Sequence, residues 1–409
     1  MYPLQNWLYG IGLSLRFNLF FSLITVFGYI FMKNKPPFKV TGLFVLVVIF
    51  CIHSYFGVAL YAIYDGMWDQ LWVFVKTIIF FIFSVLLLRK REHFEAILFF
   101  LVLALCFFGL MEGIKVILSG GGHIIVGMQG SLGDNNKVAL GLNMTIPLIL
   151  YLMGESNNKN LKLILIGTAF LCVMAIIGTN SRGGFIGLLF MGGYFWWVNG
   201  KKISIIFGAS IILVVVLSVM PNSWFQRMDT IESADKVSTL TSRVTFWKIN
   251  LLAAIDHPFV GLGFNATASK LVWQDYAHNL DSINFIIETP IPKKGFVAHS
   301  IYFEVLGNQG FVGLLLFLGI LFLTIMRINN LKSKHYEKGS WQVNLLNAIK
   351  ISILTFCVGG AALSAAYFEL LYFLISIVIC LHINALTKNN SPQILKKTAN
   401  QRNSITVGN

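Results

Sequence analysis

Apolar runs of about 20 residues recur from one end of this 409-residue chain to the other, and that repetition decides its fold class. Each run is long enough for a helix to cross a hydrocarbon layer, where only helices and closed barrels satisfy their own peptide groups. The runs fall near 13–32, 41–63, 70–88, 94–118, 137–153, 161–178, 184–199, 203–220, 301–326, 346–366 and 368–386. An all-α, polytopic transmembrane helical bundle of about 11 spans is the expected architecture. Composition agrees, with 56% apolar and 12% charged residues against roughly 45–50% and about 25% in a soluble domain. A conventional cytosolic enzyme is excluded. The first strong run is long enough to span and has no small-residue cleavage site, so it reads as a span and not as a signal peptide.

The net charge of +14 would suggest nucleic acid in a soluble protein. Here its placement is topological. Lys33, Lys35 and Lys39, then Arg89, Lys90 and Arg91, then Lys159 with Lys162, Lys201 with Lys202, and Arg327, Lys332, Lys334 and Lys338 mark successive loops on one side, which the positive-inside rule makes cytoplasmic. The short opposite loop around Asp65 and Asp69 has no basic residue. The expected partner of this charge is the lipid bilayer, with no nucleic acid. An odd span count with a cytoplasmic C-terminus puts Met1 outside, which points to a further span upstream of this start. The chain divides into an N-terminal bundle of about eight spans (1–220), a large outer loop (221–300), about three C-terminal spans (301–386) and a polar tail (387–409) expected to be disordered in the cytoplasm.

The outer loop is where function is sought, because a loop of this length in a compact protein is either functional or disordered. Its aromatics, among them Trp224, Phe246, Trp247, Phe264, Trp273 and Phe296, argue against disorder. Leu240, Val244, Trp247, Leu251 and Ile255 recur at helical spacing until Pro258 stops them, which predicts an amphipathic helix on the membrane surface. Arg243 and Trp247 share one face of it, where a cation beside an indole suits a phosphate next to a sugar; a solvated or headgroup-binding arginine is the alternative. Arg227 is an accessory candidate. Arg182 lies in a short outer turn, TNSRGG (179–184), and either anchors the hairpin or forks onto a phosphate. Gly183 and Gly184 would let a bulky group approach the backbone. His299 stands where the loop re-enters the membrane and suits a general base, or else caps the next helix. Tyr302 either contacts sugar or belongs to an aromatic belt. Glu304, roughly 140° around the helix from His299, need not orient it. Asp134, before Asn135 and Asn136, reads first as a helix N-cap, and Glu112 with Lys115 as an ion pair.

Other chemistries lack their motifs. No GxxxxGK[ST] loop, HExxH, paired metal-spaced histidines or outer Asp-x-Asp occurs, so no metal site is encoded and ATP hydrolysis is excluded. Cys51, Cys106, Cys172, Cys357 and Cys380 all sit in apolar runs and read as small fillers, leaving no outward cysteine nucleophile. Ser181 with His299 could pair as a hydrolase, but GTNSRGG is not GxSxG. A transporter would show internal repeats and ionisable residues at the midplane, and neither is found.

Three segments, the Ser-Arg-Gly-Gly turn (181–184), RVTFWKINLLAAIDHPFVGLGF (243–264) and AHSIYFEVLGNQGFVGLLLF (298–317), together resemble the O-antigen ligase and polymerase family of bacterial membrane glycosyltransferases in order and topology. DNNKVALGLNMTIPLILYL (134–152) and GGAALSAAYFELLYFLISI (359–377) are similar to the O-glycosylation ligases found with exosortase A systems. The resemblance implies a metal-independent transferase, without cofactor, in the bacterial inner membrane. It would take a glycan from a polyprenyl-diphosphate donor and join it to a protein, lipid or glycan acceptor at the periplasmic face. It implies that Arg182 and Arg243 bind the diphosphate and that His299 acts as base on the acceptor hydroxyl, with Arg227, Trp247, Tyr302, Glu304 and Asn135 as substrate contacts. Ligation and polymerisation of carrier-linked repeats need the same parts and remain alternatives. Members of this subgroup usually carry further hydrophobic sequence before the motif that YPLQNWLYG (2–10) resembles.

Overall fold

A computed structural model describes the backbone over residues 17–63, 66–127, 132–198, 210, 214, 235–283, 288–289 and 295–406, with side chains over the same residues except 17–18, 235–240, 281 and 388–406. All regular structure there is helical: α1 (Phe17–Phe31), α2 (Gly42–Tyr61), α3 (Gly66–Leu87), α4 (Arg91–Leu118), α5 (Asn135–Glu155), α6 (Lys159–Gly178), α7 (Arg182–Val198), α8 (Asp235–Asp256), α9 (Lys270–Ala277), α10 (Ile301–Lys334), α11 (Trp341–Gly360) and α12 (Glu369–Thr406), with short 3-10 turns at 266–268 and 280–283. Eight helices among the described residues are long and apolar enough to cross a membrane. The shorter α1 and α7 also fall on expected spans, and the run at 203–220 lies outside the described residues.

Two boundaries differ from the sequence reading. The span expected at 346–366 stops at Gly360, and 361–368 is an irregular loop. The tail expected to be disordered continues α12 in helical backbone to Thr406. Once a helix is nucleated, each added residue gains a hydrogen bond at little further entropy cost, so the polar sequence extends what the span began.

The helices pack in two groups around two central members. α5 sits among α4, α6, α7 and α11, and α12 among α2, α3 and α10; 72% and 83% of their spanning windows are buried. Small residues permit close approach where lipid supplies no hydrophobic drive between helices. Gly109 of α4 faces Cys172 of α6, and Gly113 faces the backbone of Leu171. α10 touches both α11 and α12 and so joins the groups.

The outer segment is docked onto α10 by a break in its hydrogen-bond ladder. At Gly310 the backbone turns to φ 68, ψ −169, a region open essentially to glycine alone. The carbonyls of Gly307 and Asn308 are taken by the amides of Leu262 and Gly263 at 3.1 and 2.9 Å, and Phe311 N–H donates to Pro258 O at 2.8 Å. His53, Asn308, Gln309 and Tyr367 surround this junction, with His53 bridging Phe259 O at 2.8 Å and Gln309 at 3.2 Å, and the amides of Asn308 and Gln309 donating to Tyr367 Oη. A Cβ at Gly310 would meet Pro258 O at 2.5 Å. Gly310→Ala is therefore expected to destabilise the docked segment by about 1–3 kcal/mol, read as a lower thermal midpoint in detergent and faster proteolysis within 257–300. Wild-type resistance in both assays would show that the break is not under this constraint.

Candidate functional site

At the end of the bundle where α5, α7, α10 and α12 begin, three elements converge. The first is the α6–α7 turn. Thr179 Oγ1 donates to Ile176 O at 2.6 Å, and Asn180, a residue type that tolerates left-handed backbone, reverses the chain at φ 53. Ser181 caps α7 by accepting Gly184 N–H at 3.1 Å and gives its own hydrogen to Asn136 Oδ1 at 2.7 Å, which occupies the hydroxyl once considered as a nucleophile. Asn135, named from sequence as a substrate contact, donates to Thr179 O at 2.8 Å, and Asn143 donates to Gly184 O at 2.8 Å. The turn is thus held from α5 at three points. Gly183 and Gly184 admit Gly359 O and the Ala139 side chain, so their smallness serves helix packing, not the close approach of a ligand. Arg182 is left half-buried as the first residue of α7, where the helix dipole also favours an anion.

The second element is α8. Its buried side chains are Thr245, Phe246, Lys248, Ile249, Asn250, Ala253 and Ala254, turned toward α10. The apolar stripe that predicted the helix lies beside that face: Val244, Trp247 and Leu251 are half-buried and Ile255 is 53% exposed. Polar Thr245, Lys248 and Asn250 go inside because they find partners there; Asn250, for example, bonds Phe246 O and Thr267. Arg243 and Trp247 are one turn apart as expected. The indole stacks on Phe303 at 5.1 Å with rings 2° from parallel, and its buried Nε1–H has no acceptor among the described residues. Arg227 lies outside the described residues.

The third element is the re-entry strand before α10. His299 is held at φ 49 by its amide, which donates to Ser364 Oγ at 2.9 Å, and its ring lies 6.1 Å from that of Phe246. Glu304 is buried and accepts Ala366 N–H at 2.8 Å, so it braces the 361–368 loop beneath the site. Tyr302 Oη donates to Cys357 O at 2.9 Å and ties α10 to α11. Asp134 caps α5 through Lys137 N–H at 2.9 Å, as read from sequence, and Glu112 pairs with Lys115 at 2.7 Å and also with His123.

Electrostatics bring the three elements into one site. Arg243 is held below its ordinary value, first by burial and then by the nearby Arg182 charge. The imidazole of His299 is also lowered, by burial first and then by Arg243, with Asp134 opposing. Among the described residues neither guanidinium has a carboxylate or other acceptor. Two guanidinium groups without a carboxylate partner among the described residues can together take an anion of more than one charge. No three His, Cys, Asp or Glu side chains gather in a metal-holding set among the described residues.

Residues 167–318, which carry Arg182, Arg243 and His299 together, match the family model described as O-antigen ligase. This match supports the O-antigen ligase family. The domain match supports an O-antigen ligase- or polymerase-like membrane glycosyltransferase. Residues 2–157 match a second model, described as a family of unknown function (DUF5935). No curated protein matches the chain. The second match contains Asn135, Asn136 and Asn143, so the α5 residues that hold the Arg182 turn lie outside the O-antigen ligase segment.

The opposing influences on His299 give a test. Asn at position 134 retains a capping oxygen but removes the negative charge that favours the imidazolium. Asp134→Asn should therefore lower the His299 pKa further below its ordinary value, seen as a downfield-to-upfield ring titration displaced to lower pH by NMR of histidine-labelled protein. A midpoint that stays in place or rises would mean that Asp134 does not act on this ring.

Proposed function

We propose that this protein transfers a glycan from a polyprenyl-diphosphate donor to an acceptor hydroxyl at the outer, periplasmic face of a bacterial inner membrane. The observation that carries the reading is the unpaired Arg182–Arg243 couple beside a neutral imidazole. Like charges at such range are unfavourable unless an anion lies between them, and a diphosphate at headgroup level supplies one. The polyprenyl tail would occupy the surrounding apolar surface.

In the proposed step the acceptor oxygen attacks the anomeric carbon while the bond from that carbon to the donor phosphate oxygen breaks. His299 takes the acceptor's proton, and the bond's electron pair goes to the leaving diphosphate, whose growing charge Arg182 and Arg243 stabilise. No metal or cofactor enters this scheme. Trp247, stacked on Phe303 one turn from Arg243, would offer the sugar an aromatic neighbour. The periplasmic placement rests on the basic loops: α5 and α10 run from the site toward loops that hold Lys159 and Lys162, and Lys332, Lys334 and Lys338. The likeness of 134–152 and 359–377 to O-glycosylation ligases favours a separate protein, lipid or glycan acceptor over another carrier-linked repeat.

Reconstitution with a synthetic polyprenyl-diphosphate oligosaccharide tests this. Arg182→Ala and Arg243→Ala should each lower transfer by about 10²–10³-fold, and His299→Ala by about 10²–10⁴-fold, with the protein still inserted and donor accumulating. Lysine at either arginine position should restore little, because an ammonium lacks the planar fork. Wild-type transfer by these variants would refute the roles, and chain growth on the carrier would favour polymerisation over ligation.

A further inference from the structure

We infer that Ser364 is a positioning residue that sets the orientation of His299 in the site. The inference rests on the reading of His299 as the base. Ser364 lies in the 361–368 loop, outside the segment that matches the O-antigen ligase model.

Four contacts make this loop the piece that spaces the site. At its start, Gly359 O and Ala362 pack against Gly183, the residue after Arg182. In its middle, Ser364 Oγ takes the amide of His299 at 2.9 Å. Beyond that, Ala366 N–H is held by the buried Glu304 carboxylate at 2.8 Å, and Ala366 O by Tyr372 Oη at 3.1 Å. Tyr367 then accepts from the amides of Asn308 and Gln309, beside the break in α10. The loop therefore touches the element that carries Arg182 and the element that carries His299, and it is anchored between them.

The contact at Ser364 is the one that governs the imidazole. A non-glycine residue at φ 49 occupies a sparsely populated backbone region and stays there only if its surroundings hold it. The N–H is the group on the His299 backbone that this conformation points at the loop, and Ser364 supplies its acceptor. Without that oxygen, the backbone at 299 is free to relax toward ordinary extended angles, which swings the Cα–Cβ bond and carries the ring away from Phe246 and Arg243. The hydroxyl hydrogen of Ser364 has no acceptor among the described residues, so the serine is not committed elsewhere.

The experiment uses full-length protein in liposomes, with the synthetic donor for kinetics and histidine-labelled protein for NMR, His299 being assigned by its loss in His299→Ala. Ser364→Ala should move the His299 ring resonances and lower kcat by about 10- to 100-fold, with the donor KM within about twofold because Arg182 and Arg243 stay in place. Ser364→Thr, which keeps the oxygen, should restore most of the rate. Ser364→Cys keeps the volume with a poor acceptor and should behave like the alanine variant, which covers the case in which alanine lets the loop collapse. The inference is overturned if the His299 resonances do not move in Ser364→Ala and Ser364→Cys, if threonine fails to restore them, or if kcat is unchanged while His299→Ala is inactive. Moved resonances together with a fully active His299→Ala would uphold Ser364 as the holder of His299 while removing His299 from the chemistry, so the two readings fail separately.

Discussion

A bilayer interior offers a peptide group no water, and that single constraint runs through the whole molecule. It makes each apolar run a helix, and it makes any interruption of a helix a place where another segment must complete the bonding. α10 is interrupted at Gly310, and the chain at 257–265 supplies the missing partners through Pro258, Leu262 and Gly263. The 257–265 segment is thereby attached to a span by backbone hydrogen bonds, which tie α8 and Arg243 to the helix that follows His299, eleven residues before the break.

The site follows from that attachment. One helix group contributes Arg182 at the start of α7, the other contributes Arg243 and His299, and the 361–368 loop lies against both. Two guanidinium groups are brought together without a carboxylate among the described residues, in a partly buried setting that strengthens their repulsion and their attraction for an anion alike. Burial, and after it the Arg243 charge, lowers the His299 imidazole below its ordinary value, so an arginine that would bind a diphosphate also favours a neutral base.

Much of this was legible along the chain. Arg182, Arg243 and His299 stood out because each is a polar group at the margin of an apolar element, although each also had a structural alternative. Asn135, Tyr302 and Glu304, which the resemblance implies as further substrate contacts, each bond a backbone group of another element: Thr179 O, Cys357 O and Ala366 N–H. A sequence does not say whether a polar side chain at a helix end meets substrate or a neighbouring carbonyl. Ser364 was invisible because it sat in what read as the end of a span, among small apolar residues.

The sequence by itself determined the helical class and the approximate positions of the described spans, and it drew attention to three residues, since hydrophobic length and side-chain chemistry are properties of local sequence. Tertiary structure alone decided which face of α8 is buried, where α10 breaks and what fills the break, and that the two arginines and the histidine share one electrostatic field. Those outcomes depend on contacts between residues far apart in the chain, where a carbonyl left open in one helix selects the amide that closes it from another.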